Sequence, residues 1–171
     1  MDAIDVLVDA FGRAHSDATR AVDGLSADDL VWRPDDDANP IAWLVWHLTR
    51  VQDDHVADLA GTEQVWTADG WARRFDLPFD DASIGYGHTG EQVASVRVDD
   101  PGLLTGYLDA VHERTVAYLR TLRGEDLDEV IDDRWDPPVT RGVRLVSVVD
   151  DDIQHAGQAA YLAGLARRRR S

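Results

Sequence analysis

Val148-Val149-Asp150-Asp151-Asp152-Ile153-Gln154-His155-Ala156-Gly157-Gln158 is the stretch on which the reading of this chain turns. In a helix, Asp151 and His155 stand one turn apart on one face and project the same way. Val148, Ala159 and Leu162 share that face, so the pair is expected to point inward. A carboxylate and an imidazole aimed into a core need a partner, because burying uncompensated charge is costly. A divalent metal is such a partner. His47, in Trp43-Leu44-Val45-Trp46-His47-Leu48-Thr49-Arg50, offers a third ligand from another helix. Asp150 falls on the opposite side, whereas Asp152 lies about 60° from His155 around the helix and is an alternative to Asp151.

Four segments have helical length and period. The last covers about Val143 to Arg167 and is apolar nearly all round, which predicts the most buried helix of the set. The first spans Ala3 to Val22, with Ile4, Leu7, Val8, Phe11 and Ala18 on one stripe and Gly24 as a stop. Ser26-Ala27-Asp28-Asp29 resembles an N-cap opening a short turn that ends at Trp32-Arg33-Pro34. The second long helix runs from about Pro40 to Leu59, proline at its first turn and Gly61 past its end. Its stripe is Ile41, Leu44, Val45, Leu48, Val51 and Leu59. The third extends from Pro101 to Leu122 and carries Leu104, Leu108, Val111 and Leu119.

Between the second and third lies Thr62 to Asp100, too long to be structureless in a compact domain. Trp66 to Phe75 and Glu91 to Val96 are its helical candidates, and Asp76 to Gly90 reads as loop. Glu125 to Arg141 is a second irregular stretch. Four long helices with one long crossover predict an all-α fold, a four-helix bundle forming one domain over residues 1–171, whose core is a usual place for metal ligands.

Composition narrows the function. The net charge of -16 argues against nucleic-acid binding, which needs clustered cations. The one basic run, Arg167 to Arg170, reads as a solvated tail. No stretch has the apolar length of a membrane span, and Met1-Asp2-Ala3-Ile4-Asp5 lacks the basic region of a signal peptide, so a cytoplasmic location is expected. With no cysteine there is no disulfide and no thiolate ligand, and any thiol chemistry must use a thiol carried by the substrate. Three protein ligands leave coordination positions open, the pattern of a catalytic metal, and imidazole plus carboxylate suits Zn, Fe, Ni or Mn. Of the other histidines, His55 reads as surface or ligand support, His112 as a helix flank, His15 as surface and His88 as loop. The tryptophans (Trp32, Trp43, Trp46, Trp66, Trp71, Trp135) serve packing, or else Trp43, Trp46, Trp66 or Trp135 lines an apolar substrate pocket. There is no glycine-rich phosphate loop and no Ser–His–Asp order.

Taken together, Asn39-Pro40-Ile41-Ala42-Trp43-Leu44-Val45-Trp46-His47-Leu48, Asp54-His55, Gly85-Tyr86-Gly87-His88, Arg134-Trp135-Asp136-Pro137-Pro138 and Asp151-Asp152-Ile153-Gln154-His155-Ala156-Gly157-Gln158 resemble the DinB-like superfamily of metal-binding four-helix bundles. Within it the likeness is to the actinobacterial, mycothiol-transferase-like subgroup, related to the mycothiol-dependent maleylpyruvate isomerases, and it spans nearly the whole chain. The resemblance implies His47, Asp151 and His155 as ligands of a divalent metal, Zn ahead of Ni, Fe or Mn. Asp151 replaces the first histidine of the commoner His-x-x-x-His pair. The implied activity is that of a thiol S-transferase, in which a low-molecular-weight thiol such as mycothiol is activated as a metal-bound thiolate and presented to a small electrophile in detoxification or stress response. Trp43, Trp46, Arg50 and Arg144 are then the candidate substrate-binding residues, and a homodimer is plausible. The alternatives are a metal-dependent hydrolase using metal-bound hydroxide, or a non-catalytic metal- or small-molecule-binding stress protein.

Overall fold

Local chemistry starts the helices where the sequence marks them. In the computed structural model, which describes residues 1–169, Asp2 and Asp5 form a reciprocal capping box that opens α1 (Ala3–Val22), and Ser26 and Asp29 form another at α2 (Ala27–Val31). Pro40 precedes α3 (Ile41–Ala60), which ends at Gly61 in the left-handed conformation. The crossover carries α4 (Val65–Ala68), α5 (Trp71–Phe75) and α6 (Gly90–Ser95). The side chain of Asp100 then caps α7 (Pro101–Leu119), and α8 (Arg141–Arg169) is the last described helix.

The four long helices pack as a bundle in which α8 lies against α1 and α3, and α7 lies against the same two helices. Their directions follow from who meets whom. Leu7 and Phe11 cluster with Leu145 and Val148, and Arg167 reaches Asp23, so α1 and α8 run parallel. His47 faces His155 and His55 faces Arg144, so α3 and α8 are antiparallel. Gln52 bonds Thr115 and Tyr118 bonds the Leu59 carbonyl, so α3 and α7 are parallel. Two parallel neighbours in sequence require a connection that returns the full length of the bundle, which is why Thr62 to Asp100 is long.

That crossover is pinned by buried charge. Arg50, fully enclosed, donates to the Ser83 carbonyl (3.2 Å), the Asp81 carbonyl (3.1 Å), Gln64 Oε1 (2.8 Å) and Tyr107 Oη (3.3 Å). Asp53 accepts from the backbone N–H groups of Val65 (2.9 Å) and Trp66 (2.8 Å) and from the Tyr107 hydroxyl (2.7 Å), which anchors the start of α4. Burial nevertheless pushes the Asp53 carboxyl above its ordinary range.

Three expectations need correcting. The most buried helix is α3, enclosed on nearly all sides by α7, α8 and the crossover; α8 leaves Val146 60% and Tyr161 71% exposed. The stretch after α7 is ordered: a 3₁₀ turn (Gly124–Asp128) leads into β1 (Val130–Asp132), which pairs antiparallel with β2 (Val139–Thr140). Arg141 ties it down by donating to the carbonyls of Asp126 and Leu59. Finally, the basic run is exposed, as expected, but through Arg169 it continues α8 and is no free tail: Arg167 donates to the Asp23 carbonyl (2.7 Å), and Arg169 lies 4.9 Å above the Trp32 ring. Arg170 lies outside the described residues.

Candidate metal centre

α3 and α8 bring His47, Asp151 and His155 together. One ligand atom from each lies within 4.8 Å of the others, and no other His, Asp or Glu trio of this kind occurs among the described residues. His155 Nε2 is 3.6 Å from Asp151 Oδ1, and the two imidazole rings meet edge-on at 4.9 Å.

Each histidine is oriented by a second group. The His47 Nδ1–H donates to the Ile84 carbonyl, so its Nε2 keeps the lone pair. His155 Nδ1 is 2.9 Å from Gln158 Oε1; an amide oxygen only accepts, so here too Nε2 is the free nitrogen. A hydrogen bond behind each imidazole is the usual support of a metal-ligating histidine. Burial holds the His47 pKa below its ordinary value, which keeps the ring neutral, as ligation requires. Asp151 Oδ2 is buried with no hydrogen-bond partner. An orphaned carboxylate oxygen beside two available Nε2 atoms is a donor set suited to a divalent ion, so the residues present fit the metal.

Asp152 lies outside this trio. It is fully buried in the bundle, neither carboxylate oxygen has a hydrogen-bond partner, and burial raises its pKa well above the ordinary range. The centre faces solvent on the α8 side, where the Asp151 and His155 side chains stay 32% and 18% exposed while His47 is buried.

The inner wall is aromatic. Trp43 stacks on His47 (4.5 Å between centroids, 17°) and meets the edge of His155. Trp43 and Trp46 are buried, so they close the centre from behind and do not line an open pocket; Trp66 is buried further in, against Trp46, and Trp135 is largely exposed on the hairpin. Over His47 lies the loop Ser83-Ile84-Gly85-Tyr86-Gly87-His88. Gly85, at φ 93°, sits where a Cβ would come within 2.7 Å of His47 Nδ1. His88 packs against Trp46 and Phe79, so it is part of the wall, not a free loop residue. Trp43 donates to its Nδ1 (3.2 Å), leaving Nε2–H to donate to Ser83 Oγ (3.0 Å). In that tautomer His88 cannot take a proton from Ser83, so the pair is no nucleophile.

The two arginines differ. Arg50 is consumed by the crossover and does not face the centre. Arg144 bonds His55 Nδ1 (3.2 Å) and lines a cleft with Asp58 and residues Ile131 to Arg134 of the hairpin. Arg144 stands two turns before Asp151 on α8, so this cleft lies on the Arg144 side of the centre. His15 and His112 stack on each other between α1 and α7, away from it. The Ile84 carbonyl, the Gln158 amide and His88 escaped sequence reasoning. Gln158, three residues beyond His155 on a helix, carried a usable signal; a backbone carbonyl carries none.

No curated protein matches the chain. A solved structure described as a conserved protein of locus from Enterococcus faecalis is similar at 33% identity, with a TM-score of 0.91, over 97% of this chain and 98% of that one. A model of the DinB superfamily matches residues 10–159. With the helical bundle and a His-Asp-His group able to hold a divalent metal, the chain belongs to the DinB superfamily, a metal-binding family.

Proposed function

We propose that the protein is a metal-dependent thiol S-transferase of the mycothiol-using, actinobacterial kind, holding zinc at His47, Asp151 and His155 and conjugating small electrophiles in detoxification. The observation that carries this is the convergence of two oriented Nε2 atoms and an unpartnered carboxylate oxygen on a solvent-facing flank. A divalent ion bound there lowers the pKa of a thiol or water that reaches it, which supplies a nucleophile near neutral pH.

The chain's own residues do the rest. Ile84 and Gln158 hold the two rings in the ligating tautomer. Asp151 contributes one negative charge to the ligand set, and Trp43 and Trp46 keep water from the inner side. A chain without cysteine must take its sulfur from a cosubstrate. The polar body of that thiol docks toward Arg144, two turns before Asp151 on α8, whose cleft offers charged groups of both signs.

Elemental analysis and conjugation of a fluorogenic bimane electrophile test this together. Turnover is expected only with both thiol and metal, and His47→Ala, Asp151→Ala and His155→Ala should each lose metal and activity. Turnover of ester or amide substrates without thiol would make the protein a hydrolase. Full metal content in all three variants would place the ligands elsewhere and refute the proposal.

A further inference from the structure

The antiparallel pairing of α3 with α8 puts Leu44 one turn before His47 opposite Gln158 and Leu162, one and two turns beyond His155. At that level a cleft of about 320 Å³ opens between α8 and the α2–α3 connection. Leu44 and Leu162, both nearly inaccessible, form its base; Ala38 and Leu165, half-buried, form its sides; Tyr161 stands exposed at its rim. The link to the metal centre is Gln158, which lines the cleft and holds His155 Nδ1 through the same side-chain amide.

Charge sharpens the reading. None of the residues lining this cleft is charged, in a chain of net charge -16. The cleft on the other side of the centre is lined by Asp58, Asp132, Asp133, Arg134 and Arg144. Along α8 the order is therefore an uncharged cleft at Gln158 to Leu165, then His155 and Asp151, then a charged cleft at Arg144. Apart from the amides of Asn39 and Gln158 and the Tyr161 hydroxyl the lining is apolar, so it gains from removing hydrocarbon from water and offers no charge to an anion or a cation. A volume near 300 Å³ is at the small end of the range for ligand sites.

We propose that this cleft is the subsite for an uncharged apolar group of a small-molecule substrate, a short alkyl chain or an aromatic ring system. Bound there, the group places its attached reactive atom one helical turn away, at the metal centre. This rests on the metal-centre reading above and adds a specificity determinant to it: Ala38, Leu44, Leu162 and Leu165 select apolar substrates, and Gln158 senses their arrival beside a ligand. The buried tryptophans offer no such surface.

The probe is N-phenyl-1-naphthylamine, neutral and fluorescent in apolar sites, titrated into the full chain. Saturable binding at one equivalent is expected, weakened at least tenfold by Ala38→Trp, which fills the cleft, and by Leu165→Asp, which places a charge in it. Circular dichroism confirms folding, and either variant alone decides the matter should the other fail to fold. With Co(II) loaded, the bound probe should be quenched relative to Zn(II). In His47→Ala the quenching should vanish while probe affinity stays, so failure of the metal centre is distinguishable from failure of the cleft. Wild-type affinity in both cleft variants overturns the proposal. So does a change from dimer to monomer in Leu165→Asp with probe binding intact, because the cleft would then be covered by a second copy of the chain.

Discussion

Replacing Gly85 by alanine tests the architecture of the centre, and Gly87→Ala is its control. Both glycines have positive φ, 93° and 72°, which L residues rarely adopt. They differ in surroundings. A Cβ at Gly87 meets nothing within 4 Å, whereas one at Gly85 lands 2.7 Å from His47 Nδ1, 3.0 Å from Trp46 and 3.3 Å from Trp43. Gly87→Ala should therefore cost only backbone strain, about 1–2 kcal/mol. Gly85→Ala carries similar strain plus the displacement of packed rings, typically about 1–3 kcal/mol more. The sum is about 2–5 kcal/mol, and at about 2–4 °C per kcal/mol for a chain of this size the Tm should fall by about 4–20 °C. The clash falls on the nitrogen that donates to Ile84, so His47 must turn or retreat. Metal affinity should drop by about 10- to 100-fold, as when a ligand's supporting hydrogen bond is lost. Thermal unfolding with chelator present measures the first effect, and competitive metal titration the second. Equal Tm losses in the two variants, or unchanged metal affinity in Gly85→Ala, would refute the reasoning.

Gln158→Ala removes the acceptor behind His155 without touching a ligand; about 10- to 100-fold weaker metal binding at unchanged saturating stoichiometry is expected, and unaltered affinity would deny the amide that role. Arg50→Met removes four hydrogen bonds, three to the crossover and one to Tyr107 on α7, and leaves Asp53 buried without its cation, so urea unfolding should show a loss of about 3–5 kcal/mol. Asp152→Asn should stabilise the metal-free protein by about 1–3 kcal/mol at about pH 8 and little near pH 4. The sign follows from the raised pKa: the folded state favours the protonated acid, so its contribution is full below the unfolded pKa of about 4 and is lost as pH rises through the folded value. A stability difference between the wild-type chain and Asp152→Asn that does not grow with pH would contradict this.

Much of the fold was legible because amphipathic period and capping are local. α1 was bounded from Ala3 to Val22 by its stripe and its stop, and α2 by its Ser26 cap. The trio of His47, Asp151 and His155 was legible for a similar reason: helical spacing places Asp151 beside His155, and one histidine on a neighbouring helix completes the group. Burial was not legible for α8. An apolar residue reads the same whether it faces a neighbour or solvent, and Val146 and Tyr161 face solvent. The hairpin after α7 was missed because strands of three and two residues carry no period.

By itself, then, the order of residues determined the helices and the Asp151–His155 pair, since each depends on contacts within a turn or two of chain. The bundle followed from helix count and connection length, and the resemblance singled out His47. Only tertiary packing decided that Arg50 serves the crossover, that the tryptophans seal the back of the centre, that the Ile84 carbonyl and Gln158 aim the imidazoles, and that an apolar cleft adjoins them. Those features depend on which distant segments meet, and a helix face does not encode its partner: the pairing of α3 with α8 and the loop laid over His47 settle it.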